Sequence, residues 1–333
     1  MEYPVPISVV MATYNTPTPF LKTAVESVLN QTFTAFEFII VDDASTNESV
    51  DYLKGLTDER VRIVRNSSNL GITKSLNIGL REARGKYIAR MDADDISLPQ
   101  RFEKQYLFME ANPDAIICGS EIVDFCDESE IVPILDAGKS RALKGKISKV
   151  KKIKAKAIKT LMEDYRIRML FIYPRPFHPT IFINHEKLDK HNLRYDEELY
   201  YAQDYGLYAD ACRFGLIYEL KEVLVCKRYG PSQISSKNRD AQSSFDKATQ
   251  KKLLLNLLGE VTQEELDFHY SLSYSERTLS FKVIAWLNRL INANKKRRVY
   301  NQIRFRKYAF RVMLKCNRRL SRAIRRRLFG RKR

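Results

Sequence analysis

Short apolar runs alternate with amphipathic segments along the first 125 residues of the chain. The apolar runs are rich in β-branched and aromatic residues, as is typical of buried strands. The segments between them repeat apolar residues every three or four positions, as is typical of helices with one buried face. The predicted strands span 7–12, 36–41, 61–64 and a run from 86, and the predicted helices span 19–30, 48–56 and 74–84. This alternation predicts an α/β domain with a mostly parallel sheet and right-handed crossovers.

The pattern changes in the second half of the chain. Further strands are expected at 116–125 and 217–227, with a helix beginning near residue 200. Beyond residue 232 the pattern is helical, and Thr262 followed by Glu265 is typical of a capped helix start. We therefore expect a sheet domain over residues 1–230 and a helical region over 231–333.

The charge of the chain is concentrated in that helical region. Residues 241–333 contain 24 Lys and Arg but 6 Asp and Glu, which equals the whole net charge of +18. From Arg289 onward 19 basic residues and no acidic residue surround an apolar stripe. The stripe consists of Ile303, Phe310, Met313, Leu314, Leu320, Ile324 and Leu328. Basic amphipathic helices bind anionic membrane surfaces, whereas nucleic acid needs the charge but not the large apolar side chains. The stripe therefore favours binding to a membrane over binding to nucleic acid.

A second basic segment interrupts the sheet domain. Residues 139–159 contain ten Lys and Arg and no acid, with apolar residues at helical spacing. We expect a lysine-rich helical insertion at about 136–166. Its basic face could be a solvated helix surface, or a contact for a membrane or an acidic partner.

Cysteine usage and hydropathy restrict the class of protein. The five cysteines are odd in number and have no close pairing, which argues against a disulfide framework or a zinc site. The first residues lack a basic segment followed by an apolar run, and no stretch approaches the roughly 18 apolar residues of a spanning helix. These patterns predict a cytoplasmic protein.

Polar side chains follow each predicted strand. Thr13, Tyr14 and Asn15 follow the first strand, Asp43 the second and Asn69 the third. Each alone is ordinary turn chemistry, but ligands of open α/β sheets bind where the carboxyl ends of the strands converge. The sequence therefore predicts a binding crevice at this edge of the sheet.

The fourth strand runs directly into a pair of carboxylates. Asp92 and Asp94 are two residues apart, so in extended backbone they point to the same side. Two adjacent carboxylates repel each other unless a positive charge lies between them. A hard divalent cation such as Mn²⁺ or Mg²⁺, which also binds substrate phosphates, would supply it. A solvated acidic loop before the next helix is the alternative.

Two later residues are further candidates. His178 lies between two prolines, which hold it stiffly, so it is either a ligand of phosphate or sugar or a loop residue. Asp204 follows Gln203 in the first turn of a predicted helix, where the helix dipole favours a carboxylate. Taken alone, Asp204 could be a helix cap or a site residue.

These motifs resemble the family 2 glycosyltransferases, which have the GT-A fold, a Rossmann-like nucleotide-diphospho-sugar transferase fold. The resemblance covers about residues 5–225 and the motifs occur in family order. The matching segments are 7–15, 38–45, 69–79, 85–95 and 203–205. No single segment is decisive, but together they are specific.

The resemblance implies a role for each candidate. Thr13 and Asp43 would hold the nucleotide base, with Tyr14, Asn15 and Asn69 nearby. Asp92 would lie near the ribose, Asp94 would bind a Mn²⁺ or Mg²⁺ ion bridging the diphosphate, and Asp204 would be the general base. Gln203 stands where the family often has Glu, which leaves Asp204 as the one carboxylate at that place.

We therefore expect a metal-dependent, inverting, hexosyltransferase-like enzyme. It would move a sugar from a nucleotide donor, with UDP the expected nucleotide, to a saccharide or lipid-linked acceptor in cell-surface polysaccharide or lipopolysaccharide synthesis. The resemblance and the basic C-terminal helices together place it as a peripheral protein on the inner face of an anionic membrane, with nucleic acid not expected as a partner.

Two alternatives remain. A nucleotidyltransferase would need a glycine-rich phosphate loop after the first strand, which residues 13–17 do not provide. A nucleic-acid- or membrane-binding protein on a degenerate nucleotide-binding scaffold would not need the complete set of acids.

Overall fold

The computed structural model describes residues 3–130, 155–172, 175–230, 239–274 and 280–316, apart from the side chains of 155–161, 239–242 and 273–274. Most of the lysine-rich segment lies outside these ranges, as do Leu320, Ile324 and Leu328 of the apolar stripe. The predictions for those residues remain predictions.

The strands of the described residues form one mixed sheet. They are β1 (Val5–Thr13), β2 (Phe36–Asp42), β3 (Val61–Arg65), β4 (Gly85–Asp92), β5 (Ile96–Ser97), β6 (Ala115–Phe125), β7 (Phe182–Asn184) and β8 (Leu216–Arg228). Their order across the sheet is β3-β2-β1-β4-β7-β6-β8-β5. The pairs β3–β2, β2–β1, β1–β4 and β6–β8 are parallel, whereas β7 and β5 pair antiparallel with their neighbours.

The helices fill the connections predicted from the sequence. They are α1 (Thr18–Leu29), α2 (Ser49–Lys54), α3 (Ile72–Glu82), α4 (Arg101–Ala111), α5 (Ala155–Met169), α6 (His185–Lys190), α7 (Gln203–Ala211), α8 (Arg239–Leu258), α9 (Gln263–Tyr274), α10 (Phe281–Arg297) and α11 (Gln302–Lys315). The predicted α/β fold with a mostly parallel sheet and C-terminal helices is confirmed.

The register of the parallel strands aligns their carboxyl ends. Thr13 of β1 is opposite Asp42 of β2, and its neighbour Ala12 is opposite Asp92 of β4. Every residue of β2 is buried, because helices cover both faces of a parallel sheet. The polar residues that follow these strands therefore lie at the same edge of the sheet.

Backbone contacts divide the chain into two compact units. The first comprises Met1–Ile158 and Arg175–Gln242, and the second comprises Lys159–Pro174 and Ser243–Arg333. The C-terminal part of α5 thus groups with the helices that follow residue 243, although the sequence analysis assigns it to an insertion in the sheet domain. The boundary at residue 231 remains a prediction.

Apolar side chains and helix caps stabilise the second unit. Its core includes Leu254, Leu266, Leu290 and Phe305, all at most 3% exposed. The predicted capped start of α9 is present, because the amide of Glu265 donates to the Thr262 hydroxyl at 3.2 Å and the amide of Thr262 donates to the Glu265 carboxylate at 3.0 Å.

A histidine is buried beside the chain's single tryptophan in this unit. Trp286 Nε1 donates to Nδ1 of His269 at 3.0 Å, so His269 holds its own proton on Nε2 and donates it to the carbonyl of Leu170 at 2.6 Å. Burial lowers the pKa of His269 from 6.5 to about 4. A proton on Nδ1 would also displace the Trp286 hydrogen bond, so the ring is held neutral.

We expect this histidine to make the second unit sensitive to acid. Since the pKa is lower in the folded than in the unfolded chain, stability is complete above pH 6.5 and is lost as pH falls from 6.5 towards 4, by on the order of 3 kcal/mol. Melting followed by Trp286 fluorescence between pH 7.5 and 5 measures this loss. The His269→Gln variant should melt with a flatter pH dependence, while His191→Gln, a ring that stacks on Phe214 in the first unit, should not. Equal pH dependence in wild type and His269→Gln would contradict the prediction.

Two further observations concern the cysteines and the apolar character of the helices. All five cysteines are free thiols, four of them buried. Among the described residues, no helix combines the length and the apolar character needed to cross a bilayer.

Candidate active site

The turn after β1 and the turn after β2 are bonded to each other. The amide of Asp43 donates to the carbonyl of Thr13 at 2.9 Å. Asn15 donates its amide to the Ser45 hydroxyl at 2.9 Å, and its side-chain oxygen accepts from the amide of Thr46 at 2.8 Å. Asn15 adopts a left-handed backbone with φ of 50°, which asparagine tolerates better than most residues. These bonds fix two of the predicted base-binding turns as one piece.

Asp43 is almost fully buried and organises the loop that follows β3. Its Oδ1 accepts from the side-chain amide of Asn66 at 2.7 Å and from the amide of Leu70 at 2.8 Å, and its Oδ2 accepts from the amide of Gly71 at 2.8 Å. Gly71 has φ of 87°, a conformation that glycine adopts without strain. The predicted residue Asn69 lies in the same loop with an exposed side chain.

The carboxylates after β4 share their surroundings with a buried arginine. Asp92 forms an ion pair with Arg90, which lies on the same face of β4 and is 5% exposed. Burial, and next the charge of Asp92, raises the pKa of Asp94 to about 6. Burial and both of these acids raise the pKa of Asp95 well above its usual range. A cation here would reverse these shifts, because it favours the ionised forms.

Residues 92–95, which contain Asp92, Asp94 and Asp95, form an acidic turn. Arg228, at the end of β8, holds this turn in place. Its amide donates to Asp95 at 2.9 Å, its Nε donates to the carbonyl of Asp94 at 3.1 Å, and its Nη2 donates to Glu128 at 2.7 Å. The guanidinium also lies 4.0 Å from the centre of the Phe20 ring. The position of Asp94 thus depends on a residue more than 130 positions away in the sequence.

A second buried arginine, Arg101 in α4, is hydrogen-bonded to the backbone of β4. Arg101 donates to the carbonyl of Arg90 at 2.6 Å and to Gln105 at 3.0 Å. Burial, and next the charge of Arg90, lowers the pKa of Arg101 to about 9. These bonds hold the backbone of β4 just before its carboxylates.

His178 and Tyr195 connect this acidic turn to α7. The ring of His178 is hydrogen-bonded to the Tyr195 hydroxyl at 2.9 Å, and burial, followed by the charge of Arg90, lowers the pKa of His178 well below its usual range. Burial raises the pKa of Tyr195, Arg90 opposes this, and both Asp204 and Asp92 add to it. The charges of Asp92 and Asp204 thus contribute in the same direction to the pKa of Tyr195.

Asp204 itself is buried in the first turn of α7. Its Oδ1 accepts from the amide of Tyr205 at 2.8 Å. The preceding residue, Gln203, is half-buried, and its side-chain oxygen has no hydrogen-bond partner within the part of the chain that the structure describes. The first turn of this helix therefore presents one carboxylate and one amide oxygen.

The structure brings most of the sequence candidates together. Thr13, Asn15 and Asp43 form one bonded group, and Asp92, Asp94, His178 and Asp204 lie around Arg90 and Tyr195. The side chains of Tyr14 and Asn69 are exposed. Their assigned roles in binding and catalysis remain predictions.

Sequence reasoning did not identify Arg90, Tyr195, Arg228 or Asn66. A signal existed for Arg90 alone, because a charged residue two positions before Asp92 interrupts an otherwise apolar strand. The others act through contacts across 17 to 134 positions, which local patterns do not reveal.

A divalent cation at the acidic turn would need few protein ligands. Within the described ranges, no group of three or more His, Cys, Asp or Glu side chains is arranged to hold a metal. Mg²⁺ and Mn²⁺ at phosphate sites need one or two carboxylates, since water and phosphate oxygens complete the shell. Asp94, in the turn directly after β4, is the carboxylate that would meet this smaller requirement.

The sequence was compared with protein families and with known proteins. The profile of "Glycosyl transferase family 2" matches residues 8–177. An uncharacterized glycosyltransferase of Methanocaldococcus jannaschii is 37% identical over 220 residues, which cover 64% of this chain and 68% of that protein. The Escherichia coli UDP-Glc:alpha-D-GlcNAc-diphosphoundecaprenol beta-1,3-glucosyltransferase WfaP is 36% identical over 104 residues, 31% of this chain and 41% of that protein.

The solved structure of S. aureus TarS 1-349 in complex with UDP-GlcNAc has a similar fold. Its TM-score is 0.56 at 15% identity, covering 98% of this chain and 93% of that chain. A likeness at this identity concerns the fold, which is GT-A.

Proposed function

This chain belongs to glycosyl transferase family 2, and from that membership we propose that it is an inverting, metal-dependent enzyme that uses a UDP-sugar. The observation that best supports the proposal is the placement of three groups. Thr13 and Asp43 are hydrogen-bonded to each other beside the end of β4, Asp92 ends that strand with Asp94 in the turn that follows, and burial, together with the charges of Asp204 and Asp92, raises the pKa of Tyr195. A nucleotide, its diphosphate and an acceptor hydroxyl would each need one of these groups.

In the proposed reaction Asp204 is the general base. The acceptor hydroxyl oxygen attacks the anomeric carbon, its proton passes to the Asp204 carboxylate, and the bond from the anomeric carbon to the diphosphate oxygen breaks. The nucleoside diphosphate leaves with that electron pair. One displacement inverts the anomeric centre, so an α-linked donor gives a β-linked product, and no second carboxylate nucleophile is required.

The departing diphosphate needs positive charge nearby. Asp94 would hold a Mn²⁺ or Mg²⁺ ion, which when bound would supply that charge, and Asp92 would lie near the ribose. Arg90 pairs with Asp92, and Arg228 holds the turn that carries Asp94. These two arginines would keep the carboxylates oriented towards the leaving group.

One relative supports the proposed donor and acceptor classes. WfaP, by its name, takes UDP-Glc and a sugar linked through diphosphate to undecaprenol. We infer a UDP-sugar donor and a saccharide or lipid-linked acceptor used in cell-surface polysaccharide synthesis. The bound nucleotide is the first point to establish.

Melting of the full chain by calorimetry with UDP, GDP, CDP and ADP, each with and without Mn²⁺, tests the proposal. We expect UDP with Mn²⁺ to raise the melting temperature of the first unit by about 5–10 °C at 100 times its dissociation constant, where binding stabilises by about 2.7 kcal/mol. A shift with another nucleotide would change the donor class. No shift with any nucleotide in a folded sample would favour the binding-protein alternative.

We also propose that α11 binds an anionic membrane surface. Ile303 and Phe310 are 68% and 51% exposed, and they lie on the same face as the exposed Arg306, Lys307 and Arg311. Of the predicted apolar stripe, Ile303 and Phe310 are exposed, whereas Met313 packs against the core. Phe305, Ala309 and Val312, which the stripe did not include, are also buried in that core. The exposed face therefore combines large apolar side chains with cations, which suits an anionic bilayer.

Changing both exposed apolar residues should weaken membrane binding. We expect the double variant Ile303→Ser, Phe310→Ser to bind phosphatidylglycerol vesicles about tenfold or more weakly than wild type, because it loses the apolar insertion. Ile63→Ser, which changes an exposed apolar residue in the first unit, is the control. Vesicle sedimentation measures binding, and equal binding by the double variant and the control would contradict the proposal.

A further inference from the structure

The guanidinium of Arg90 has hydrogen-bonding capacity that the protein leaves unused. The residue is 5% exposed, and its Nη2 pairs with Asp92. Its Nε and Nη1 are buried and have no hydrogen-bond partner among the described residues. A buried donor without a partner is costly and therefore rare, since it loses its bond to water without replacement. Two such donors on one side chain indicate that a ligand supplies the acceptors.

The neighbours of Arg90 indicate which part of a ligand would lie there. Arg90 pairs with Asp92. In addition to burial, the charge of Arg90 lowers the pKa of His178, and it opposes the raised pKa of Tyr195, whose hydroxyl is hydrogen-bonded to His178 at 2.9 Å. The charge of Asp204 also raises the pKa of Tyr195. In an in-line transfer the sugar ring lies between the diphosphate, near Asp92 and Asp94, and the attacking hydroxyl, near Asp204. Arg90 contacts Asp92, and the ring of His178 is hydrogen-bonded to Tyr195, so both would border that interval.

Resting on the proposed function, we propose that Arg90, with His178 beside it, binds the transferred sugar of the donor through its Nε and Nη1, and that this sugar is uncharged. The charge of Arg90 is already paired with Asp92, and Asp94 and Asp95 lie in the next turn. A uronic acid would bring one more carboxylate to this acidic turn. Sugar hydroxyl oxygens satisfy the two donors without adding charge.

The test separates the sugar from the nucleotide. Titration calorimetry at fixed Mn²⁺ compares UDP, UDP-glucose, UDP-N-acetylglucosamine and UDP-glucuronate on wild type, Arg90→Lys and Arg84→Lys. Lysine keeps the positive charge beside Asp92 but lacks the guanidinium donors. Arg84 pairs with Glu37 away from the crevice and is the matched control. In wild type we expect at least one neutral UDP-sugar to bind more tightly than UDP and UDP-glucuronate.

In Arg90→Lys we expect that UDP-sugar to lose about 10- to 100-fold in affinity while UDP stays within about threefold. His178→Asn should give the same selective loss, which keeps the test valid if Arg90→Lys fails to fold. Equal losses for UDP and the UDP-sugar would overturn the proposal and place Arg90 on the diphosphate. Preference of wild type for UDP-glucuronate, or no gain from any sugar, would also overturn it. Failure of wild type to bind any of these compounds would instead overturn the UDP-sugar function.

Discussion

Replacing Asp204 by Asn should lower turnover by about 10²–10⁴-fold while leaving nucleotide affinity within about threefold of wild type. An acceptor hydroxyl is far too weak an acid to ionise unaided near neutral pH, and an amide cannot take its proton. Asparagine preserves the shape of the side chain in the first turn of α7. Initial rates with saturating donor and acceptor, together with titration of the nucleotide, measure the two quantities separately.

Asp210→Asn, on the same helix, is the matched control for Asp204→Asn and should retain turnover. If Asp204→Asn stays within tenfold of wild type, Asp204 is not the base. A variant that also loses the nucleotide would indicate that Asp204 supports the fold of the crevice rather than the chemistry.

Replacing Asp94 by Ala should abolish the part of nucleotide binding that depends on Mn²⁺. In the proposed site the diphosphate would be held through the cation and the cation through Asp94, so the Ala variant would lose that link. The residual affinity should equal that of wild type without metal. Titration of UDP with and without Mn²⁺ on both proteins gives this comparison.

Asp124→Ala removes an exposed carboxylate from β6 and should bind UDP with the metal dependence of wild type. Wild-type affinity that is identical with and without metal would remove Asp94 from the metal role. Full metal dependence in Asp94→Ala would place the cation on other ligands.

The α/β arrangement could be predicted because its determinants are local. Strands such as β1 and β2 are continuous apolar runs, and the intervening helices have apolar residues on one face, so each element is encoded within about a dozen residues. The antiparallel strands β5 and β7 were not predicted, since they are two and three residues long and exist through pairing with distant strands. The grouping of α5 with the C-terminal helices likewise depends on contacts across more than a hundred positions.

The site was predictable to the same extent. The carboxyl ends of parallel strands meet at one edge, so Thr13, Asp43 and Asp92 could be placed together from the strand pattern. The pattern does not show what each residue contacts. Asp43, for example, was expected to face a nucleotide base, and the structure adds that its carboxylate organises the loop after β3.

Those bonds of Asp43 have a consequence for how this crevice can vary in evolution. Two of its partners are main-chain amides, at Leu70 and Gly71, which persist when the side chain at position 70 changes. The third is the side chain of Asn66, which also donates to Ser75. A substitution at Asp43 would remove this acceptor from Asn66, and a substitution at Asn66 would remove this donor from Asp43. The energetic effects of the two substitutions should therefore be non-additive. Positions 43 and 66 should change together among related chains, while position 70 drifts freely.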